Sequence, residues 1–361
     1  MKTIYLRDEQ KKGEHRSPLT PNGAKTLIDA GVKVIIESST TRIFTDQAYR
    51  AVGAEITTTC WSQMPQDTLV LGLKELPVNE TPIAHNHIYF AHSFKGQDEA
   101  PQVLSRFKSG GGKIFDIEFL TDADNRRVAA FGYWAGFVGA GLGLLGFAHS
   151  QQQQTPFPAV TPFADQVSFV NTIKQHLGSE LNKLNVMVMG SLGRCGTGAT
   201  DLLTAVGIEK MTLWDKEEYE QSPKPITAIL DQDVFINCVY LKGDIPPMID
   251  QSLLSQNQKL RIISDVSCDP NSANNPIPVY DAITYMDKPF VQAKYSDEHP
   301  VYVQAIDHLP TLLPKEASAE FADALLPHLL QLCSEDLLTD VWQKALDLYH
   351  SVSEDVVTPM T

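Results

Sequence analysis

Cysteine is scarce in this chain, and positive charge is outnumbered. Five cysteines in 361 residues, at positions 60, 195, 238, 268 and 333, are too few and too scattered for a disulfide-stapled scaffold. None forms C-x-x-C and none stands with histidine at zinc spacing, so no structural zinc site is indicated. "HNHIYFAH" gathers His85, His87 and His92, yet no cysteine or carboxylate beside them completes a ligand set, and no metal is expected. With 29 Lys and Arg against 44 Asp and Glu, the net charge is −15. That is the wrong sign for a nucleic-acid footprint or an anionic membrane surface. A local basic pocket for an acidic small molecule stays compatible with it. No signal-peptide pattern opens the sequence, and the expectation is a cytoplasmic protein.

Long apolar runs are missing too, with one exception. Ala129 to Ala148 carries no charge, and as a helix it would reach about 30 Å, enough to cross a bilayer. Its glycines fall at 132, 136, 139, 143 and 146, a spacing of four, three, four, three. Each costs ~1 kcal/mol of helix propensity relative to alanine, and a lone span in lipid has no partner for a glycine face. The run therefore predicts a helix buried in protein, packed closely along its glycine seam and linking two domains. It does not predict a membrane anchor.

What is present is an alternation of helix and strand. "KTIYLRDE" reads as a strand; "LTPNGAKTLIDAGVKVIIESS" and "AYRAVGAEITTT" each give helix, glycine stop and β-branched run. "DTLVLGLKE", "HIYFAHSFK" and "GGKIFDIEFL" continue the series, so four or five strands of a mostly parallel sheet are expected by residue 120. "VSFVNTIKQHL" is helical, and four more strands follow in "LNVMVMG", "KMTLWDKEE", "DVFINCVYL" and "LRIISDVSCD". The rest, after "VQAIDHLPTLLPKEAS", is helical. The length fits two domains: residues 1–128 with about 310–361, and 129–309, entered through the glycine-rich helix 129–148.

"VMVMGSLGRCGTGA" turns a buried strand sharply into a helix, placing backbone N–H groups and a helix dipole where a pyrophosphate would sit. Its glycines at 190, 193, 196 and 198 give G-x-x-G-x-x-G rather than the commoner G-x-G-x-x-G. Asp215 ends the next strand, "MTLWD", where a ribose-binding acid belongs, and favours NAD over NADP. Arg194 within the loop weakens that preference, since it could meet a further phosphate.

In the first half, polar residues stand at the ends of apolar strands: Lys74 and Glu75 in "LVLGLKE", His92 and Lys95 in "IYFAHSFK", Glu118 in "IFDIEF". Ligands of open α/β sheets bind beyond the carboxyl ends of strands, so these side chains converge on one candidate site. Lys and His there suit proton transfer. A lysine crowded by Arg16, Lys95 and Arg127 would have its pKa lowered into a useful range. Arg16, Arg126 and Arg127 offer planar forks for carboxylates, which suits an amino-acid substrate with several acid groups.

"EHRSPLTP", "GLKELP", "FAHSFK", "RRVAAFG", "GSLGRCGTGA", "INCVYL", "DVS" and "IDHLPTLLPKEAS" occur in this order. Together they resemble the lysine-forming, NAD-dependent saccharopine dehydrogenases, distant relatives of alanine dehydrogenase and the transhydrogenase nucleotide-binding subunit. The resemblance spans roughly residues 1 to 330. It implies an α/β protein of two Rossmann-like domains, parallel sheets flanked by helices, an active site in the interdomain cleft, and a monomer. It implies NAD as cofactor and saccharopine, L-lysine and 2-oxoglutarate as small-molecule partners. Carried over by residue, Lys74 and His92 match the acid–base groups, and Glu75 and Glu118 match acids that tune them. Arg16 and Arg127 match carboxylate binders, and Lys95 and Asp307 line the site. Gly190, Leu192, Gly193, Arg194, Gly196, Gly198 and Asp215 match the cofactor loop and ribose acid. Cys195 and Cys238 match a pair able to form a disulfide near the cofactor in the fungal enzymes. The alternatives are a dehydrogenase of another opine or of a simple amino acid such as alanine, and a non-enzymatic NAD-binding protein, which would need neither Lys74 nor His92.

Overall fold

The computed structural model describes residues 2–95, 97–152, 156–239, 246–268, 270, 275–296, 298–334 and 338–354. Residues 153–155 of "QQQQTPFPAVTP", 240–241 of "INCVYL", 269 and 271–274 of "SDVSCDPNSANNPIP", and 297 of "YSDEHP" lie outside that set. The chain divides into two compact units, Met1–Ala130 with Pro314–Thr361, and Phe131–Leu313.

The first unit runs β1 (Thr3–Leu6), α1 (Pro21–Asp29), β2 (Lys33–Glu37), α2 (Asp46–Ala51), β3 (Glu55–Thr57), β4 (Leu69–Leu71), β5 (His87–Tyr89), α3 (Ala100–Gly110) and β6 (Ile114–Asp116). Helix α1 starts where Thr20 accepts the Gly23 N–H and Pro21 supplies a preset φ. Among the described residues the strands form one sheet in the order β3-β2-β1-β4-β5-β6, every neighbouring pair parallel. That is one strand more than the four or five expected from sequence, and β3 to β6 are only three residues each. The order reverses between β1 and β4, and a crevice opens beyond the carboxyl ends of strands at such a reversal. Ile4, Leu6, Ile36, Leu71 and Ile88 are fully buried in the sheet, as strands covered on both faces must be.

The second unit carries α4 (Gly132–Gln151), α5 (Gln166–Leu177), β7 (Asn185–Met189), α6 (Arg194–Val206), β8 (Lys210–Trp214), α7 (Lys216–Gln221), β9 (Val234–Asn237), α8 (Gln251–Leu254), β10 (Ile262–Asp265), β11 (Val291–Gln292) and β12 (Tyr302–Gln304). Among the described residues its strands are ordered β11-β12-β10-β9-β7-β8, with only β11 antiparallel. β11 and β12 escape a periodicity reading because two or three residues hold no period. The chain then returns to the first unit with α9 (Pro314–Ser334) and α10 (Asp340–Glu354). There Trp342 of α10 meets the Phe115 ring of β6 edge-on at 5.5 Å.

Helix α4 is the glycine-rich run. It belongs to the second unit, apolar all round and buried on most of its surface, as a helix without a polar face must be. Its glycines meet several partners rather than one. A Cβ on Gly136 would lie 1.8 Å from the Cys195 carbonyl of α6, and one on Gly198 of α6 would lie 1.9 Å from the Tyr133 carbonyl of α4. Gly139 and Gly143 instead face Ser264 of β10, whose hydroxyl donates to the Gly139 carbonyl. Among the described residues no helix is long and apolar enough to cross a membrane.

Candidate active site

In the first unit, the loops leaving β1, β4, β5 and β6 at their carboxyl ends carry the candidate groups. Lys74 follows β4. Burial lowers its pKa, and Arg16 and Lys11 lower it further, against Glu14 and Glu75, which raise it. The crowding expected from Lys95 and Arg127 is not what the structure places there. Those two cations bind Glu118 instead, Lys95 Nζ at 2.7 Å from Oε1 and Arg127 through Nη2 to the same oxygen. A carboxylate between them captures both before they reach the lysine. Burial would raise the Glu118 pKa, but the Lys95 hydrogen bond and the Arg127 charge leave it lowered.

His92, beyond β5, holds a left-handed φ of 50°, uncommon outside glycine. Its Nε2 lies 3.7 Å from Glu75 Oε1. Desolvation and the Lys74 charge outweigh Glu75, so the imidazole pKa falls below its ordinary value and the neutral ring is favoured. Desolvation acts on Glu75 in the upward direction, yet Lys11 and Lys74 leave its pKa lowered. Lys74, Glu75, His92 and Glu118 thus form one electrostatically coupled set. The neighbouring histidines are different in kind: His87 is fully buried against Trp61 and Phe107, and His85 against Trp61.

Arg16 does not present an open fork. Its Nε and Nη2 donate to Glu14 at 2.8 and 2.5 Å, and both side chains are buried. Burial would raise the Glu14 carboxyl, but the Arg16 guanidinium holds it at about 2. Arg126 points to Asp122 and Asp124 of its own loop and is well exposed.

Three buried carboxylates of this region are missing from the site residues expected from sequence. Glu14 is one. Glu9 accepts the Leu73 and Lys74 N–H groups at 2.7 and 2.9 Å. Asp116, at the end of β6, accepts the Ala91 N–H at 3.3 Å and the Glu118 N–H at 2.9 Å, so it ties the His92 loop to the Glu118 turn. Burial raises its pKa to about 7. An acid in an apolar-flanked strand end, as in "IFDIEF", is the signal that would have found it.

In the second unit, β7 ends at Met189, and Gly190 after it, with a φ of 84°, turns the chain. A Cβ on Gly196 would sit 2.0 Å from the Gly190 carbonyl, so only glycine closes this turn. Helix α6 begins after Gly193 with no side-chain cap, which leaves its first-turn amides available to an anionic group. Leu192 and Arg194 are exposed on the loop. Asp215 accepts the Leu192 N–H at 2.9 Å and the Lys216 N–H at 2.8 Å, tying the ribose-acid position to the loop. This cradle fits the pyrophosphate and ribose of a dinucleotide. Cys195 and Cys238 are free thiols; the hydrogen bond between them and burial raise the Cys238 pKa. Asp307 pairs with His308.

Two α/β units, each built among the described residues on a mostly parallel six-stranded sheet with helices packed on it, define a two-domain Rossmann-like α/β protein. Residues 5–138 match the family described as the alanine dehydrogenase/PNT N-terminal domain. A solved L-alanine dehydrogenase superposes with a TM-score of 0.69 at 16% identity, covering 99% of this chain and 97% of that one, a likeness of fold alone. The saccharopine dehydrogenase (NAD+, L-lysine-forming) of Schizosaccharomyces pombe is 43% identical over 97% of this chain and 98% of its own. That of Yarrowia lipolytica is 44% identical over 96% of each. The chain belongs to the family of NAD+-dependent, L-lysine-forming saccharopine dehydrogenases.

Proposed function

We propose that this chain catalyses the reversible NAD+-dependent cleavage of saccharopine to L-lysine and 2-oxoglutarate. The observation that supports it best is Lys74, an amine whose pKa burial and cationic neighbours lower, coupled through Glu75 to a neutral-leaning His92. The Gly190–Gly198 turn would hold NAD+ with Asp215 at its ribose, and the bound cofactor would supply the two-electron acceptor.

Neutral Lys74 Nζ accepts the proton of the substrate's secondary amine as the C–H bond breaks and hydride departs, leaving an imine. Water adds to that carbon while His92 takes its proton. Lys74 returns its proton to the nitrogen; the hydroxyl of the adduct then gives its proton to Lys74 as the carbonyl forms and the C–N bond breaks, His92 protonates the departing ε-amine, and 2-oxoglutarate and lysine result. Each transfer needs a base near its working pH, and lowering a lysine while keeping an imidazole neutral provides both. Glu75 keeps the excess positive charge between them in check. Arg16 and Arg127 meet the substrate's carboxylates, and Lys95 lines the site beside them. Because Glu14 and Glu118 hold part of each cation, a substrate carboxylate shares donors rather than capturing a vacant fork; a guanidinium has five N–H groups to divide.

NADH formation at 340 nm with saccharopine and NAD+ tests the reading. Turnover with alanine or another opine, and none with saccharopine, would replace it with the simple dehydrogenase. No turnover with any would leave an NAD-binding protein. Lys74→Met and His92→Gln should each lower kcat about 10²-fold or more. We also read the chain as a cytoplasmic monomer, which sedimentation and fractionation check.

A further inference from the structure

We infer that the buried Arg7–Glu9 ion pair is a positioning device for Lys74. Glu9 Oε1 accepts the Leu73 N–H at 2.7 Å and Oε2 accepts the Lys74 N–H at 2.9 Å. Arg7 Nη1 lies 3.3 Å from Glu9 Oε2, and Arg7 Nη2 donates to the Lys74 carbonyl. The pair therefore grips both backbone groups of Lys74, N–H with the carboxylate and C=O with the guanidinium. Both side chains are buried, 2% and 6% exposed.

The sequence arranges this from two neighbouring parallel strands. Arg7 follows β1, Lys74 follows β4, and the Arg7 N–H donates to the Leu71 carbonyl at 3.0 Å. Between them Gly72 lets the guanidinium pass, since a Cβ there would meet Arg7 Nε at 2.2 Å. The Tyr89 ring lies 5.8 Å from Arg7 Cζ. A buried ion pair seldom stabilises more than an apolar pair of the same volume. This one has a different use: its four polar contacts fix the peptide from which Lys74 rises. The charges that shift Lys74 come from Arg16, Lys11, Glu14 and Glu75, so the pair acts on its place, not on its field.

The inference rests on Lys74 moving a proton, and its test keeps the two apart. Misplacing a reacting group by about 1 Å costs on the order of 10²-fold in rate. Glu9→Gln turns an amide N–H toward a backbone N–H, and should lower kcat about 10- to 100-fold with the saccharopine KM changed less than about twofold. In a Lys74→Met background the same change should lower the residual rate less than about twofold. Because Glu9→Gln strands the Arg7 charge, the double variant Arg7→Met/Glu9→Gln, which buries no charge, runs in parallel. Competitive acetylation of the intact enzyme, read by peptide mass spectrometry across pH, follows the Lys74 amine without turnover. It should titrate nearer the ordinary lysine value in both variants, as the amine leaves its buried place. An equal loss of kcat with and without Lys74, or an unmoved acetylation profile in a folded variant, overturns the inference. Wild-type turnover by Lys74→Met alone overturns the reading beneath it, whatever Glu9→Gln does.

Discussion

Replacing Glu14 with glutamine tests the electrostatics of the candidate site. The Glu14 carboxylate is buried against Arg16; burial would raise its pKa, but the guanidinium holds it at about 2 against an ordinary 4.5. A depression of that size amounts to about 3 kcal/mol of folding free energy at neutral pH. The sign follows from proton counting. The unfolded carboxyl takes its proton near pH 4.5 and the folded one only near 2, so the contribution is complete above 4.5 and is lost as pH falls toward 2. Roughly 1 kcal/mol of it is gone by about pH 3.5. The glutamine variant lacks this slope and leaves the Arg16 cation buried without its carboxylate, a loss of about 3–5 kcal/mol at pH 7.

Urea unfolding of the two proteins at pH 7 and pH 3.5 measures both effects. The wild type should lead by several kcal/mol at pH 7, and the gap should narrow by roughly 1 kcal/mol at pH 3.5. A gap below ~1 kcal/mol at pH 7, or one that does not change with pH, refutes the argument. A kinetic consequence comes with it. Glu14 is one of the groups that raise Lys74, so its loss lets burial, Arg16 and Lys11 push that amine lower still. The acid limb of the kcat/KM profile should move to lower pH in Glu14→Gln. An unmoved limb means that Lys74 is not the group titrating there.

Asp116 carries the opposite sign: burial raises its pKa from 3.8 to about 7, so its share of stability is present below pH 3.8 and is lost as pH rises through about 7. Asp116→Asn should therefore gain on the wild type by a few kcal/mol between about pH 4 and pH 8, and parallel stability curves would refute this. Gly198→Ala forces a Cβ against the Tyr133 carbonyl at 1.9 Å and should cost about 1–3 kcal/mol, read as a Tm several degrees lower; an unchanged Tm would refute the close approach. Asp215→Ala should raise the KM for NAD+ about tenfold or more with smaller change in the saccharopine KM, and equal changes in both would remove its assignment to the ribose.

How much of this was legible in sequence depends on the range over which each signal acts. Strand ends are local: an apolar run closing on Lys74 and Glu75, or on His92, announces itself within a few residues, and the parallel sheet gathers those ends on one edge. Pairing is not local. Nothing in "FAHSFK" or "RRVAAFG" says that Lys95 and Arg127 will share Glu118, and nothing in "GEHR" separates a buried Glu14 from a solvated one. Glu9, Glu14 and Glu75 lie one or two residues from visible basic groups and look like ordinary surface charge until the sheet closes over them. The glycines of α4 show the same limit. Their spacing states that a backbone will come close, but the partner changes along the helix, from Cys195 at Gly136 to Ser264 at Gly143. A periodic pattern on one helix specifies how near its neighbours come; their identity is written in the strands and turns they belong to. Chemistry-bearing side chains can thus be read from the sequence, whereas the protonation state that makes them useful depends on charges brought from β1, β4, β5 and β6 together.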